Sequence, residues 1–368
     1  MTGLMINQRI DSWFLSNWYS PSPSPFPWPL HALLSLGAWS YAKGLYHHQS
    51  RAKKHRSKLP AFVISVGNLV VGGTGKTPLT LWLAGHFHSL GWKPAILSRG
   101  YRRKDSGIAR VPAIGDSGRE VLQYGDESVL MARRAGPVPV WVGSNRCMAG
   151  YQAVENDGAD LLILDDGFQH LALERDLDLA LLDAANPFGN GRLLPLGPLR
   201  EPPMHLDRAD AILLTRAEDP ERCGETRSRL AGMLPGKDVF SCTHRLTGLK
   251  RGLDGQHILL DTLRGRKVVA FSGIARPESF TQLLRKEGIV VSRSFAFPDH
   301  YQYLDADMVL LLNSMKASDT PFLVTTEKDM VRLRPEFQAF ALAAVVELDF
   351  AADHQAFCDF LQERLSSR

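Results

Sequence analysis

Ala61-Phe62-Val63-Ile64-Ser65-Val66-Gly67-Asn68-Leu69-Val70-Val71-Gly72-Gly73-Thr74-Gly75-Lys76-Thr77 passes from an apolar run into a glycine-rich turn. Residues 62–66 read as a parallel strand buried on both faces. The glycines lack a Cβ, so backbone N–H groups can close around an anion and take positive φ. Pro78 and residues 79–84 then open a helix whose N-terminus carries a partial positive charge. This is the order of a nucleoside-triphosphate P-loop. Val70, Val71, Gly72, Gly73, Thr74 and Gly75 wrap the phosphates, Lys76 reaches the β/γ-phosphates, and Thr77 offers its hydroxyl to Mg²⁺. The full pattern G-x-x-x-x-G-K-[ST] has glycine where this chain has Val70.

At 368 residues the chain has room for two domains. Its composition is that of a folded soluble protein. A net charge of +4 is mild, and no nucleic-acid partner is expected. Cys147, Cys223, Cys242 and Cys358 are scattered without a C-x-x-C pair, so neither a disulfide framework nor a zinc site is expected, and reduced cytosol fits best.

Residues 1–60 differ from the rest. Pro21, Pro23, Pro25, Pro27 and Pro29 alternate with Ser, Phe and Trp, which excludes a helix there. Residues 30–46 are apolar and aromatic, but His31, Ser35, Ser40 and Lys43 interrupt them and the run is short for a membrane span. Arg51, Lys53, Lys54, Arg56 and Lys58 follow. An apolar aromatic helix with a basic cluster behind it suits the interface of an anionic membrane. The alternative is a helix packed on the protein with a solvated basic tail. The order of segments does not fit a cleavable signal peptide.

Residues 93–97 form a second short strand that runs into Ser98-Arg99-Gly100-Tyr101-Arg102-Arg103-Lys104. A loop at the carboxyl end of an α/β strand faces the ligand crevice, so this one either meets phosphate or an anionic substrate, or is a solvated charge run. Gly125-Asp126-Glu127 precedes a helix, with Asp126 at the N-cap position. Residues 138–142 form a third strand, and Gly143-Ser144-Asn145-Arg146 opens another helix. The second strong signal is residues 159–170, a buried strand that ends in Asp165-Asp166-Gly167-Phe168-Gln169-His170. P-loop enzymes use such a strand-end acid to hold the loop's Mg²⁺. Asp165 is the first acid after the apolar run and the better metal candidate. Asp166, Gln169 and His170 follow on a loop facing the same crevice.

Residues 177–183 and 209–215 are further strands, separated by a Gly/Pro-rich loop over 186–203. Long loops of this kind are functional or disordered, and Arg200 and Glu201 are the charged pair this one has for phosphate and metal. Residues 61–238 therefore read as a parallel, mostly doubly wound α/β domain. Residues 239–265 read as a linker with an isolated strand at 240–246. A smaller α/β domain covers 266–368, with strands at 267–273, 288–291 and 321–326 and helices at 277–287 and 305–317. The cleft between the two domains is the expected active site.

In order along the chain stand Gly72-Gly73-Thr74-Gly75-Lys76-Thr77-Pro78, Ser98-Arg99-Gly100-Tyr101, Gly125-Asp126-Glu127, Asp165-Asp166-Gly167-Phe168-Gln169-His170, Gly197-Pro198-Leu199-Arg200-Glu201, Phe297-Pro298-Asp299-His300 and Thr325-Thr326-Glu327-Lys328-Asp329. This series closely resembles the tetraacyldisaccharide 4′-kinase family, the lipid A kinases of Gram-negative bacteria, whose loop is similar to a shortened Gly-Gly-x-Gly-Lys-Thr form. The resemblance implies ATP- and Mg²⁺-dependent phosphorylation of the 4′-hydroxyl of a tetraacylated glucosamine disaccharide 1-phosphate, giving lipid IVA. It implies two α/β/α sandwich domains, the first P-loop NTPase-like, joined by a β-ribbon linker. It also implies an N-terminal helix at the cytoplasmic face of the inner membrane, held there peripherally or as an anchor among the membrane lipids. Carried over by motif, Asp126 is the general base with His300 as its dyad partner, and Lys76 serves the donor phosphates. Asp165 and Glu201 join Thr77 as the Mg²⁺ shell, and Tyr101, Arg146, Asp166, Gln169 and His170 are candidates for substrate contacts.

A P-loop GTPase, a metal-insertion ATPase or a nucleotide-binding regulator would share the loop and the Asp165 strand. None of them accounts for Phe297-Pro298-Asp299-His300. The chemistry agrees in part with the kinase assignment: a sugar hydroxyl is a weak nucleophile, and a positioned base contributes about 10²–10⁴-fold in rate. Charge stabilisation by Lys76 and the metal supplies most of the rest.

Overall fold

Phe62–Asn68 is buried along its whole length. Only a strand inside a sheet that is covered on both faces can be so. Its neighbours are both parallel, Leu161–Asp165 on one side and Leu177–Asp183 on the other. The structure is a computed structural model and describes residue 14 and residues 17–19, 26–113, 117–252 and 255–366. The chain splits into two compact units.

The first unit comprises Met1–Lys76, Leu161–Thr243 and Asp349–Arg368. Its strands lie in the order Leu161–Asp165, Phe62–Asn68, Leu177–Asp183, Ala211–Thr215 and Asp238–Ser241, every pair parallel. Parallel strands need apolar side chains on both faces, which is why these segments read as nearly continuous aliphatic runs. The register brings polar strand ends to one edge, with Val66 level with Asp165 and Asp183 level with Thr215. Gly67 lets the chain leave the sheet closely packed: a Cβ there would lie 2.5 Å from the Phe168 Cβ and 2.6 Å from its backbone nitrogen.

The long loop over 186–203 is ordered by its own apolar residues. Phe188 and Leu199 are buried in one core with Leu69 and Val70. The Val71 N–H donates to the Pro198 carbonyl at 2.9 Å and the Arg200 N–H to that of Leu69 at 2.7 Å, so this loop runs beside the exit of the Phe62–Asn68 strand.

Trp28–Lys54 is one 27-residue helix, about 40 Å long at the usual rise per residue. Pro29 lies in its first turn, where a missing N–H loses no helical partner. The helix therefore starts inside the proline series, while Pro21, Pro23 and Pro25 lie outside the described residues. One face packs on the unit: Leu34 meets Leu196, the Tyr41 hydroxyl donates to the Arg200 carbonyl at 2.9 Å, and Gln49 reaches Glu201 at 2.6 Å. Trp28, Trp39 and Tyr46 are 81%, 57% and 70% exposed, at spacings that keep them on a common stripe. Arg51, Lys53 and Lys54 occupy the last turn. Among the described residues, no helix is long and apolar enough to cross a membrane.

The second unit comprises Thr77–Asp160 and His244–Leu348. Val140–Val142 pairs parallel with Pro94–Ser98 and antiparallel with Ala109–Val111. A six-stranded sheet has the order His257–Ile258, Thr243–Arg251, Ala341–Asp349, Leu323–Thr326, Lys267–Ser272 and Val290–Ala296. Side-chain alternation along Lys267–Ser272 decides its layers. Val268 and Ala270 enter one core with Phe280 and Leu284 of the Pro277–Lys286 helix. Val269 and Phe271 enter another with Met308 and Leu311 of the Asp305–Ala317 helix. Helices thus cover both faces.

The isolated strand expected at 240–246 is instead parts of two paired strands. Asp238–Ser241 is the edge of the first unit's parallel run. Thr243–Arg251 forms an antiparallel hairpin with His257–Ile258. Leu246 and Leu249 fill the core beneath it, set among Thr, Arg, Lys and Gly that hide the apolar period. Gly67→Ala is expected to cost about 1–3 kcal/mol, the usual range for overpacking. The readout is a lower midpoint of urea unfolding, and an unchanged midpoint would show that the strand exit has slack.

Candidate functional site

Two clusters of chemistry-bearing residues form, one in each unit. In the first unit, Gly72 and Gly75 take φ of 119° and 87°. Gly73 has no such backbone need, and a Cβ on it would meet nothing within 4 Å. The protein's own packing gives no reason for glycine there, which leaves the space to whatever the loop encloses. Asn68 ties the loop together: its Nδ2 donates to Thr74 Oγ1 at 2.9 Å, and its Oδ1 accepts from Lys76 Nζ at 3.2 Å. Lys76 begins the Lys76–Ser89 helix.

Asp166 stands between two cations, 3.4 Å from Lys76 Nζ and accepting from Arg200 Nη1 at 2.9 and 3.0 Å. Burial pushes its pKa up, but Lys76 and Arg200 outweigh burial and hold the carboxyl well below the usual range. Gln169 joins the same group, its Nε2 donating to the Asn68 carbonyl at 2.9 Å and its Oε1 accepting from Arg200 at 3.3 Å. Asp165 is 3% exposed at the carboxyl end of its strand. His170 is half-buried, and its carbonyl accepts from Arg175 at 2.9 Å.

Glu201 is fully buried and engaged at both oxygens. Oε1 accepts from Arg208 Nη2 at 2.8 Å. Oε2 accepts from Arg208 Nη1 at 2.8 Å, from Gln49 Nε2 at 2.6 Å and from His205 Nδ1 at 2.7 Å. Burial raises its pKa, while Arg208, His205 and Gln49 lower it by more, so it is held ionised.

In the second unit, Gly125 holds the N-cap position of the Asp126–Arg134 helix with φ 87°. A Cβ on it would lie 2.9 Å from the Tyr101 carbonyl oxygen. Asp126 is therefore the first helical residue and not the cap, and its Oδ1 accepts from the Glu127 N–H at 2.9 Å. Oδ2 accepts from His300 Nδ1 at 2.7 Å and from Arg332 Nε at 2.7 Å. An ionised carboxylate only accepts, so Nδ1 of His300 carries the proton. Burial pushes the Asp126 pKa up; the His300 hydrogen bond and the charges of Arg332 and Lys328 outweigh it and hold the carboxyl far below the usual range.

Arg332 is 2% exposed and also donates to the Gly273 carbonyl at 3.0 Å and to Asp329 Oδ1 at 3.1 Å. Asp329 in turn accepts from the Gly273 N–H at 3.0 Å, Tyr303 Oη at 2.9 Å and Thr326 Oγ1 at 2.6 Å. Lys328 donates to Glu127 at 2.9 Å, and Arg134 donates to Glu327. Residues 327–332 thus grip both ends of the Asp126–Arg134 helix. His300 takes φ 61° and lies with its ring 5.6 Å from that of Tyr101. Arg146 opens the Arg146–Asp157 helix and is 6% exposed.

Asp126, His300 and Tyr101 come together in one cluster, and Lys76, Asp166 and Gln169 in the other. Sequence reasoning missed Asn68, Gln49, Arg208 and Arg332, polar residues whose roles come only from their tertiary partners. Glu201 was legible as a charge, but the partners that occupy it were not.

A family model described as tetraacyldisaccharide-1-P 4'-kinase matches residues 28–366. A tetraacyldisaccharide 4'-kinase of Syntrophobacter fumaroxidans is 47% identical over 351 residues, covering 95% of this chain and 92% of that protein. One from Syntrophus aciditrophicus is 39% identical over 332 residues, covering 86% and 88%. The crystal structure of LpxK from Aquifex aeolicus in complex with ATP is similar at a TM-score of 0.72 and 31% identity, covering 92% of this chain and 99% of that one. The chain belongs to the tetraacyldisaccharide-1-P 4'-kinase family.

Proposed function

We propose that the chain is an ATP-dependent lipid A 4′-kinase, transferring the γ-phosphate to the 4′-hydroxyl of a tetraacylated glucosamine disaccharide 1-phosphate. The observation that carries the reading, beside family membership, is the buried Asp126 carboxylate bonded to His300 at 2.7 Å. A non-catalytic nucleotide-binding regulator has no use for a base of this kind, and a hydrolase would turn it on water, so dependence on the acceptor separates the kinase from the hydrolase. Asp126 takes the proton of the attacking hydroxyl, and His300 orients it. Arg332 keeps Asp126 ionised and fixed, so it acts through Asp126 and touches no substrate.

The 70–77 segment is the P-loop. Its N–H groups and the space above Gly73 fit a phosphate. Lys76, now held by Asn68 and Asp166, exchanges those partners for the β/γ-phosphates, and Arg200 keeps Asp166 neutralised when it does. Tyr101 and Asp166 are the substrate contacts best supported by their neighbours.

For Mg²⁺ the candidates are Asp165, buried at the carboxyl end of its strand, and the Thr77 hydroxyl, which a P-loop gives to the ion. Glu201 fits less well, because an ion there would have to displace the Arg208 guanidinium. We assign Glu201 to holding the 200–201 turn against the Trp28–Lys54 helix through Gln49. When bound, Mg²⁺ neutralises charge on the donor phosphates. The exposed Trp28, Trp39 and Tyr46 stripe, with Arg51, Lys53 and Lys54 behind it, supports the reading that the helix lies in the surface of an anionic membrane, where the acylated substrate resides.

ATP turnover is expected to depend on the disaccharide acceptor, with label from γ-phosphate recovered in the lipid. Turnover indifferent to acceptor would favour a hydrolase. Arg332→Met removes one of the charges that hold Asp126 down. The acid limb of its kcat/KM profile should therefore move up in pH, toward the ordinary carboxylate value of about 3.9; a limb in the wild-type position would remove Arg332 from the base. Replacing Trp28, Trp39 and Tyr46 by serine, with Tyr41 and Gln49 left in place, should weaken sedimentation with phosphatidylglycerol vesicles while the fold is kept. Unchanged sedimentation would refute the membrane assignment.

A further inference from the structure

Arg216 follows the Ala211–Thr215 strand with φ 55°. Glycine takes that left-handed conformation freely, and arginine only under strain. Such a residue persists where its side chain is needed. Here the guanidinium forks: Nη1 donates to Asp183 Oδ2 at 2.8 Å and Nη2 to the Gly73 carbonyl at 2.8 Å. Asp183 is itself fixed. It is 2% exposed, level with Thr215 in the sheet, and its Oδ1 accepts from the N–H groups of Ala185 at 3.0 Å and Asn186 at 3.3 Å.

The consequence for the glycine loop comes from peptide planarity. In a trans peptide the carbonyl and the next N–H point in opposite directions. With the Gly73 carbonyl turned to Arg216, the Thr74 N–H is aimed away from it. N–H groups cradle a phosphate, and a flipped peptide would offer it a carbonyl oxygen instead. The Thr74 side chain is held independently by Asn68.

We propose that Arg216, braced by Asp183, is a positioning residue that holds the Gly73–Thr74 peptide in the orientation that offers the Thr74 N–H to the triphosphate of ATP. The inference rests on the loop being the ATP phosphate site. It requires the fork, and not charge alone.

The test measures ATP affinity by calorimetry, and kcat and KM for ATP, in the full chain. The variants are Arg216→Ala, Arg216→Gly and Arg216→Lys, with Lys76→Met as the reference for the loop. Arg216→Ala and Arg216→Gly should raise KM for ATP about tenfold, the effect of losing one charged hydrogen bond. Their kcat at saturating ATP should stay within about threefold of wild type, the pattern of lost ground-state binding. Arg216→Lys keeps the charge but cannot bridge both partners, so its KM should remain raised. Arg216→Gly relieves the backbone strain and should melt no lower than Arg216→Ala, which separates a loop brace from a fold defect. Unchanged ATP affinity in Arg216→Ala beside impaired Lys76→Met overturns the inference and leaves the loop reading intact. Unchanged affinity in Lys76→Met overturns the loop reading and the inference with it. Full recovery by Arg216→Lys, or a fall in kcat with KM unchanged, also overturns the positioning role.

Discussion

A carboxylate kept ionised in a buried place is the constraint around which the second unit is arranged. Asp126 is 5% exposed, and an isolated ion there would be costly enough to neutralise itself. His300 and Arg332 meet that demand from the far end of the sequence. Their own supports follow: Asp329 and the Gly273 carbonyl hold Arg332, and Thr326, Tyr303 and the Gly273 N–H hold Asp329. One charge thus explains why the motifs at 125–127, 297–300 and 325–329 belong together. Removing one partner of such a buried pair typically costs about 3–5 kcal/mol, because the other is left uncompensated.

The first unit answers a related problem with opposite sign. Cations gather at the glycine loop, and Lys76 and Arg200 would repel one another without a counter-charge. Asp166 supplies it, and its strained φ of 52° is the backbone conformation that places it there. Glu201 and Arg208 form a second pair beneath, where Gln49 fastens the Trp28–Lys54 helix to the 200–201 turn. The same helix therefore has an inner face that serves the loop and an outer stripe of Trp28, Trp39 and Tyr46.

Legibility followed locality. Strands such as Leu161–Asp165 and Ala211–Thr215 announce themselves because burial on both faces leaves an unbroken aliphatic run. The glycine loop stands out in the sequence because Gly and Lys at fixed offsets suggest one mechanical use, the phosphate site proposed above. Asp126 and His300 could be paired only through the family resemblance, since nothing local links residues so far apart. Arg332, Gln49 and Arg216 had no signal, for a lone charged residue acquires a role only from its tertiary partners. The strand Thr243–Arg251 was blurred for a different reason: as a sheet member near an edge it buries Leu246 and Leu249 but sets them among Arg245, Thr247 and Lys250.

Asp126 is proposed to act in the transfer step and not in holding ATP. The most direct measurement is single-turnover γ-phosphate transfer to the disaccharide in Asp126→Asn, with ATP affinity measured on the same preparation. ATP affinity should stay close to wild type while transfer slows roughly 10²–10⁴-fold, the range for loss of a general base. Transfer near the wild-type rate, or a loss of ATP affinity that matches the loss of transfer, would remove Asp126 from the role of general base.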